Sequence, residues 1–186
     1  MKKLLFLIFG LCGFLFSQYP VYTIDTVRFI RPADTLIYAS GDIIADSGGH
    51  YKYFSMIKIN ERSTARGKIV NVTVQMDTAN ATNTTLKARF FTVSDTTGLW
   101  ASLPLDNAVF QSKFQMGGGY YQWIGDVIIT LGIFGTTDGG STSSEGTATA
   151  SLMYYGKVYC VLISTGAFEP KINGLFRVIV GADKQY

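Results

Sequence analysis

The chain has 186 residues, of which 47% are hydrophobic, with 16 Lys and Arg against 13 Asp and Glu, one histidine and two cysteines. So even a balance of charge offers no electrostatic case for nucleic acid, whose binders concentrate Lys and Arg on one face. A Ser-His-Asp site or a multi-histidine metal site would have to be built around His50 alone, and SGGHYKY places it at a turn-to-strand junction as a surface residue.

In chain order, the first predicted element is MKKLLFLIFGLCGFLFS, residues 1–17: a positive Lys2-Lys3 pair, an apolar run from Leu4 to Phe16, and the small Ser17. That layout predicts a short apolar helix of signal-peptide type, cut before Gln18. A bilayer-spanning helix needs ~20 apolar residues, so the run is short for a permanent anchor, and no membrane contact is expected after its removal. Cys12 lies inside it. The mature chain would then keep 16 − 2 = 14 basic residues against 13 acidic ones and one cysteine, Cys160, which rules out an internal disulfide. Residues 18–186 are of a size for one domain with its own core.

From residue 21 onward the apolar residues recur with period two, the signature of strands with one buried and one wet face. VYTIDTVRF (21–29) opens the series, followed by short strands at 36–38 and 43–45 and by YKYFSMIKI (51–59). KIVNVTVQM (68–76) alternates Val70, Val72, Val74 and Met76 with Asn71, Thr73 and Gln75, and TLKARFFTV (85–93) sets Leu86, Ala88 and Phe90 against Lys87, Arg89 and Phe91. Further strands are predicted at 108–114, across YYQWIGDVIITLGIF (120–134), at 148–154, in KVYCVLIS (157–164) with Cys160 pointing into the core, and in LFRVIV (175–180). The connectors are rich in Gly, Asn, Asp, Ser and Thr, and TTDGGSTSSEGTAT (136–149) is the longest predicted surface loop. Together these elements predict an all-β chain, a single β-sandwich or jelly roll of roughly eight to eleven antiparallel strands.

No catalytic constellation emerges. Asp42, Asp46, Asp95, Asp106, Asp126 and Asp138 include no pair at a spacing that marks an acid and a base, and no calcium-loop motif surrounds them. Gly117-Gly118-Gly119 lacks the lysine of a phosphate loop. No metal and no cofactor is predicted, and the chain reads as a non-enzyme. Aromatic residues are the remaining candidates: Tyr121, Trp123 and Tyr155 are predicted to serve a subunit interface or a glycan-stacking surface, because rings in strands bury large areas and dominate interfaces.

The stretch RFIRPADTLIYASGDIIADS (28–47) carries an aromatic-x-RP-x-D-x-x-x-Y-x-x-GD pattern through Phe29, Arg31, Pro32, Asp34, Tyr38, Gly41 and Asp42. It resembles the opening of a group of tailed-phage and prophage virion proteins. The likeness continues through the strand and ARFF segment at 69–91, LPLDNAVF at 103–110 and YGKVYCVLISTGAFEP at 155–170, covering about residues 25–183. The resemblance implies a non-enzymatic, capsid-associated or decoration-like β-sandwich of a virion, whose partners are copies of itself and other virion proteins. It also makes TIDTVRF (23–29) a candidate to pair with a sheet edge of a neighbouring copy. The leader points instead to a secreted or cell-surface relative, for which a carbohydrate-binding module or adhesin is the alternative.

Overall fold

The computed structural model describes residues 21–46, 54–55, 66–77, 83–93, 106–110, 121–134 and 143–185. The leader at 1–17, with its helix and cleavage point, His50 and the triple glycine lie outside the described residues. Nine strands are present among those described: β1 (Val21–Ile30), β2 (Phe54–Ser55), β3 (Arg66–Met76), β4 (Thr85–Val93), β5 (Tyr121–Thr130), β6 (Gly132–Phe134), β7 (Ser143–Tyr155), β8 (Val158–Ser164) and β9 (Leu175–Gln185). The described part is all β, without a helix.

The strands form two antiparallel sheets, in the orders β1-β9-β3-β7-β6 and β2-β8-β4-β5. Strand pairing is nested: β1 with β9, β2 with β8, β3 with β7, and β4 with β5. This long hairpin is rolled up so that β9 also meets β3 and β8 also meets β4. Such connectivity is that of a jelly roll. Between the sheets lies one apolar core, to which the first sheet gives Phe29, Val72, Val74, Phe176, Val178 and Val180, and the second Leu86, Phe90, Ile129, Val158, Cys160 and Leu162.

Several expectations are corrected, each for a local reason. In β3 the buried residues are Ile69, Val72, Val74 and Met76, because a register shift between Ile69 and Asn71 interrupts the alternation; Val70 is only half-buried. Phe91 keeps the side expected for it, but that side is covered: it is buried with Ile43, Ala45, Tyr159, Val161 and Ile163, so the expected wet face of β4 is dry at this end. The expected strand at 120–134 is two strands in different sheets. They are divided at the buried Leu131, whose N–H donates to Thr84 O and whose carbonyl accepts from Asn83 N. Of the expected loop at 136–149, residues 143–149 belong to β7. Gly146 there lies so close to Thr130 that a Cβ would stand 2.3 Å from its carbonyl oxygen, so a turn-forming residue type is needed in mid-strand to let two strands meet. Residues 36–38 and 43–45 form single bridges, Tyr38 to Phe168 and Ile43 to Ile163, in place of strands.

β8 is buried at all seven positions, so both of its faces are covered. Its inner side chains meet the main core. On the outer side Tyr159, Val161 and Ile163 join Ile43, Ala45 and Phe91, with Phe110 packed against them, in a second apolar cluster.

Candidate functional site

Residues 31–46, after β1, are fixed by polar groups that the fold has buried. Arg31, directly after β1, has a side chain with 0% exposure. Its N–H groups donate to Asp34 O at 2.7 Å, Asp34 Oδ1 at 2.5 Å, Leu36 O at 2.7 Å and the Tyr38 hydroxyl at 3.4 Å. A buried guanidinium needs that many acceptors, since each donor left unpaired would forfeit its hydration. Tyr38 stacks on Phe168 with ring centroids 5.1 Å apart, and its hydroxyl donates to Asp106 Oδ1 at 2.6 Å. The same oxygen accepts from Ala45 N at 2.7 Å. Asp106 Oδ2 is buried and has no hydrogen-bond partner among the described residues.

Next to this chain of contacts, Asp42 Oδ2 accepts from Ala39 N at 2.6 Å. The Asn107 amide, oriented with its nitrogen inward, donates to Ile37 O at 3.1 Å and to Asp42 Oδ2 at 3.0 Å. Gly41 closes the turn at φ 97°, a conformation that side chains disfavour. Backbone bonds complete the tie: Ile43 N donates to Ala108 O, and Phe110 N to Gly41 O.

Electrostatics follow from burial. Desolvation, reinforced by the negative Asp106, pushes the Tyr38 phenol far above its ordinary value, so it stays a neutral hydrogen-bond donor. Burial likewise raises Asp106, more than the bonds from Tyr38 and Ala45 N lower it. Such a phenol is unsuited to act as a general base, and the enclosed guanidinium leaves no face open to a substrate. What the arrangement does chemically is bridge residues 31–46 to residues 106–110 and hold both against β8.

Of the candidate aromatics, Trp123 and Tyr155 lie in different sheets. Trp123, 56% exposed, lies opposite Phe91 on the outer side of the second sheet, and its Nε1 donates to Asp126 Oδ1 at 3.2 Å. Arg89 grips the same carboxylate through two bonds, at 2.8 and 2.7 Å, and sits 5.1 Å from the centre of the Phe110 ring. Desolvation pushes Asp126 up, but Arg89 and the Trp123 indole outweigh it and its pKa is lowered. Tyr155, 57% exposed, lies in the other sheet beneath the Arg66 guanidinium, 5.2 Å from its ring centre. The backbone of Tyr121 pairs with Val93, while its side chain lies outside the described residues. Of the six aspartates considered as acid-base partners, Asp42, Asp106 and Asp126 are each committed to the contacts above; Asp95 and Asp138 lie outside the described residues.

Sequence reasoning missed two features. The first is the Arg31, Tyr38 and Asp106 relay, whose members are separated by up to 75 residues; the RPAD and LPLDNAVF segments named the participants without joining them. The second is Tyr22, which starts on β1 and reaches across Gly181 of β9 so that Asn71 Nδ2 of β3 donates to its hydroxyl at 3.2 Å. Asn71 Oδ1 in turn accepts from Gly181 N at 3.0 Å, supplying the partner that the register shift removes from the ladder.

No protein-family model matches the chain, and no curated protein matches it in sequence. Among solved structures it is similar to a chain of the Israeli acute paralysis virus full particle heated to 63 degrees. That match has 15% identity and a TM-score of 0.31, over 91% of this chain and 72% of the other. It is also similar to a chain of tomato aspermy virus at 13% identity and a TM-score of 0.27, over 88% of this chain and 76% of the other. Likenesses this weak decide neither fold nor function.

Proposed function

We infer that the chain is a non-enzymatic structural subunit of a virion, capsid-associated or decoration-like, which assembles with copies of itself and with other virion proteins. The observation that carries this reading is the fate of the residues behind the phage resemblance. Arg31, Asp34, Tyr38, Asp42, Asp106 and Asn107 are committed to hydrogen bonds that fix neighbouring loops. Residue types that often do chemistry are here used to hold a shape. Jelly-roll connectivity is compatible with this role, although the same fold serves lectins, so the fold alone does not decide. Negative-stain microscopy and sedimentation of the purified chain test the reading. Oligomers or particles are expected, and a stable monomer at every concentration would overturn it.

The carbohydrate-binding alternative keeps one supporting observation, the exposed rings of Trp123 and Tyr155. Because they lie in different sheets, each ring would have to bind a sugar separately. Glycan-array binding that is lost in Trp123→Ala would move the assignment to that class.

A further inference from the structure

On the first sheet, β1 is the outermost strand, and among the described residues its ladder partner is β9 alone. Which of its backbone groups remain open can be read from the register. Arg31 N donates to Gly174 O at 3.0 Å, and residues 31 and 174 continue the β1·β9 register that pairs Ile30 with Leu175. In an antiparallel ladder the bonded residues alternate, so the odd-numbered residues of β1 face β9 and Tyr22, Ile24, Thr26, Arg28 and Ile30 turn their N–H and C=O groups outward. Thr26 supports that parity: its N–H is held at 2.9 Å by Asp25 Oδ1 rather than by β9. Neither Pro nor Lys occurs in VYTIDTVRFI, whose charges are the buried Asp25 and the exposed Arg28. Three of the five side chains beside the open groups are large, apolar and exposed, Tyr22 51%, Ile24 48% and Ile30 56%, and the other two are Thr26 and Arg28.

We propose that this edge is where a second copy of the chain docks, β1 against β1 in antiparallel register, with the two-fold axis passing through Thr26. The proposal rests on the assembly reading and names its interface. Three features select that occupant and register. Side chains directly opposite in an antiparallel pair share a face, so the axis must fall on a residue. Placed on Thr26 it sets Tyr22 against the partner's Ile30, an aromatic and β-branched pairing of the kind that stabilises sheets, and Ile24 against the aliphatic stem of the partner's Arg28. Placed one residue earlier it would set Asp25 against its own copy, which like charge opposes. With the axis on Thr26, the outward N–H and C=O groups from Tyr22 to Ile30 all find partners, provided that the Asp25 carboxylate yields the Thr26 N–H to the incoming carbonyl.

Disulfide trapping tests the register. In a Cys12→Ser background the one remaining native thiol is the buried Cys160. Opposed residues at a bonded pair have Cα atoms ~5.5 Å apart, within disulfide reach. Thr26→Cys is expected to give a linked dimer on mild oxidation, and Arg28→Cys to stay unlinked alone but to link when mixed with Ile24→Cys. Ile24→Pro, which removes an outward N–H and leaves the β9 ladder intact, is expected to abolish the dimer while the unfolding transition is retained. Equal linking at residues 26 and 28, or self-association that survives Ile24→Pro, would overturn this interface and leave the assembly reading standing. A chain that never associates overturns both.

Discussion

The outer faces of the two sheets have opposite fates. Over the second sheet, Ile43, Ala45, Phe91, Tyr159, Val161 and Ile163 are buried, and the polar network of Arg31, Tyr38 and Asp106 holds the adjoining segments in place. On the first sheet, Thr26, Thr147 and Thr149 are exposed and Thr73 is half-buried, with Thr73 and Thr147 sharing a hydroxyl hydrogen bond of 2.7 Å; that sheet ends in the open edge of β1. Over β8 the face of the second sheet has been covered within the chain, although Trp123 of β5 stays exposed, whereas the first sheet's outer face is open at β1 and β7. Arg31, Asp34, Tyr38 and Asp42 of the phage-like pattern belong to the covered side, where they hold neighbouring segments in place.

Substitutions can break this comparison, and the largest effect is expected at Arg31. Removing its fully buried guanidinium in Arg31→Ala empties the centre of this network and takes a partner from the buried Tyr38 hydroxyl, and should cost about 3–5 kcal/mol, measured by urea unfolding. Arg28→Ala, on the open face, should stay within about 0.5 kcal/mol. Next comes the apolar cover: Ile163→Ala should lose about 2–4 kcal/mol as a cavity opens beneath it, against roughly 0.5 kcal/mol or less for Ile24→Ala. Equal losses at the two isoleucines would show that the faces do not differ. The open face has one sensitive point. A Cβ at Gly181 would lie 2.3 Å from both Asn71 Oδ1 and the Tyr22 hydroxyl, so Gly181→Ala should cost about 1–3 kcal/mol through crowding.

The smallest expected effect is a dependence on pH, with opposite signs at two carboxylates. The raised pKa of Asp106 means that its contribution is fully present below the ordinary carboxylate value and is lost as pH rises through the folded-state value. Asp126, whose pKa is lowered, contributes above the ordinary value and loses that contribution as pH falls through its folded-state value. Unfolding midpoints of Asp106→Asn and Asp126→Asn from pH 3 to 7 would separate them. The first variant should be relieved of a penalty towards neutral pH, and the second should lose stability there. A common sign in both would contradict the burial argument.

Much of the fold was legible in the sequence, because period-two alternation is a local property. TLKARFFTV and VYTIDTVRF lie on their predicted strands, and Cys160 is buried as expected. Errors arose where packing between distant residues overrides local preference. Ile69 replaces Val70 in the core because of a register shift that no residue type announces, and Gly146 belongs to a strand because Thr130 comes too close for any side chain. The anchor was legible only in pieces, since Asp106 meets Tyr38 across 68 residues of chain. The open edge of β1 follows from strand order, which periodicity does not determine.

Whether the open side joins copies together is the central question. Sedimentation velocity on a dilution series of the wild-type chain and of Ile24→Pro examines it directly. The expected result is a wild-type species that grows in mass with concentration beside a variant that stays at monomer mass with its unfolding transition intact. A wild-type chain that remains monomeric throughout the series would contradict it.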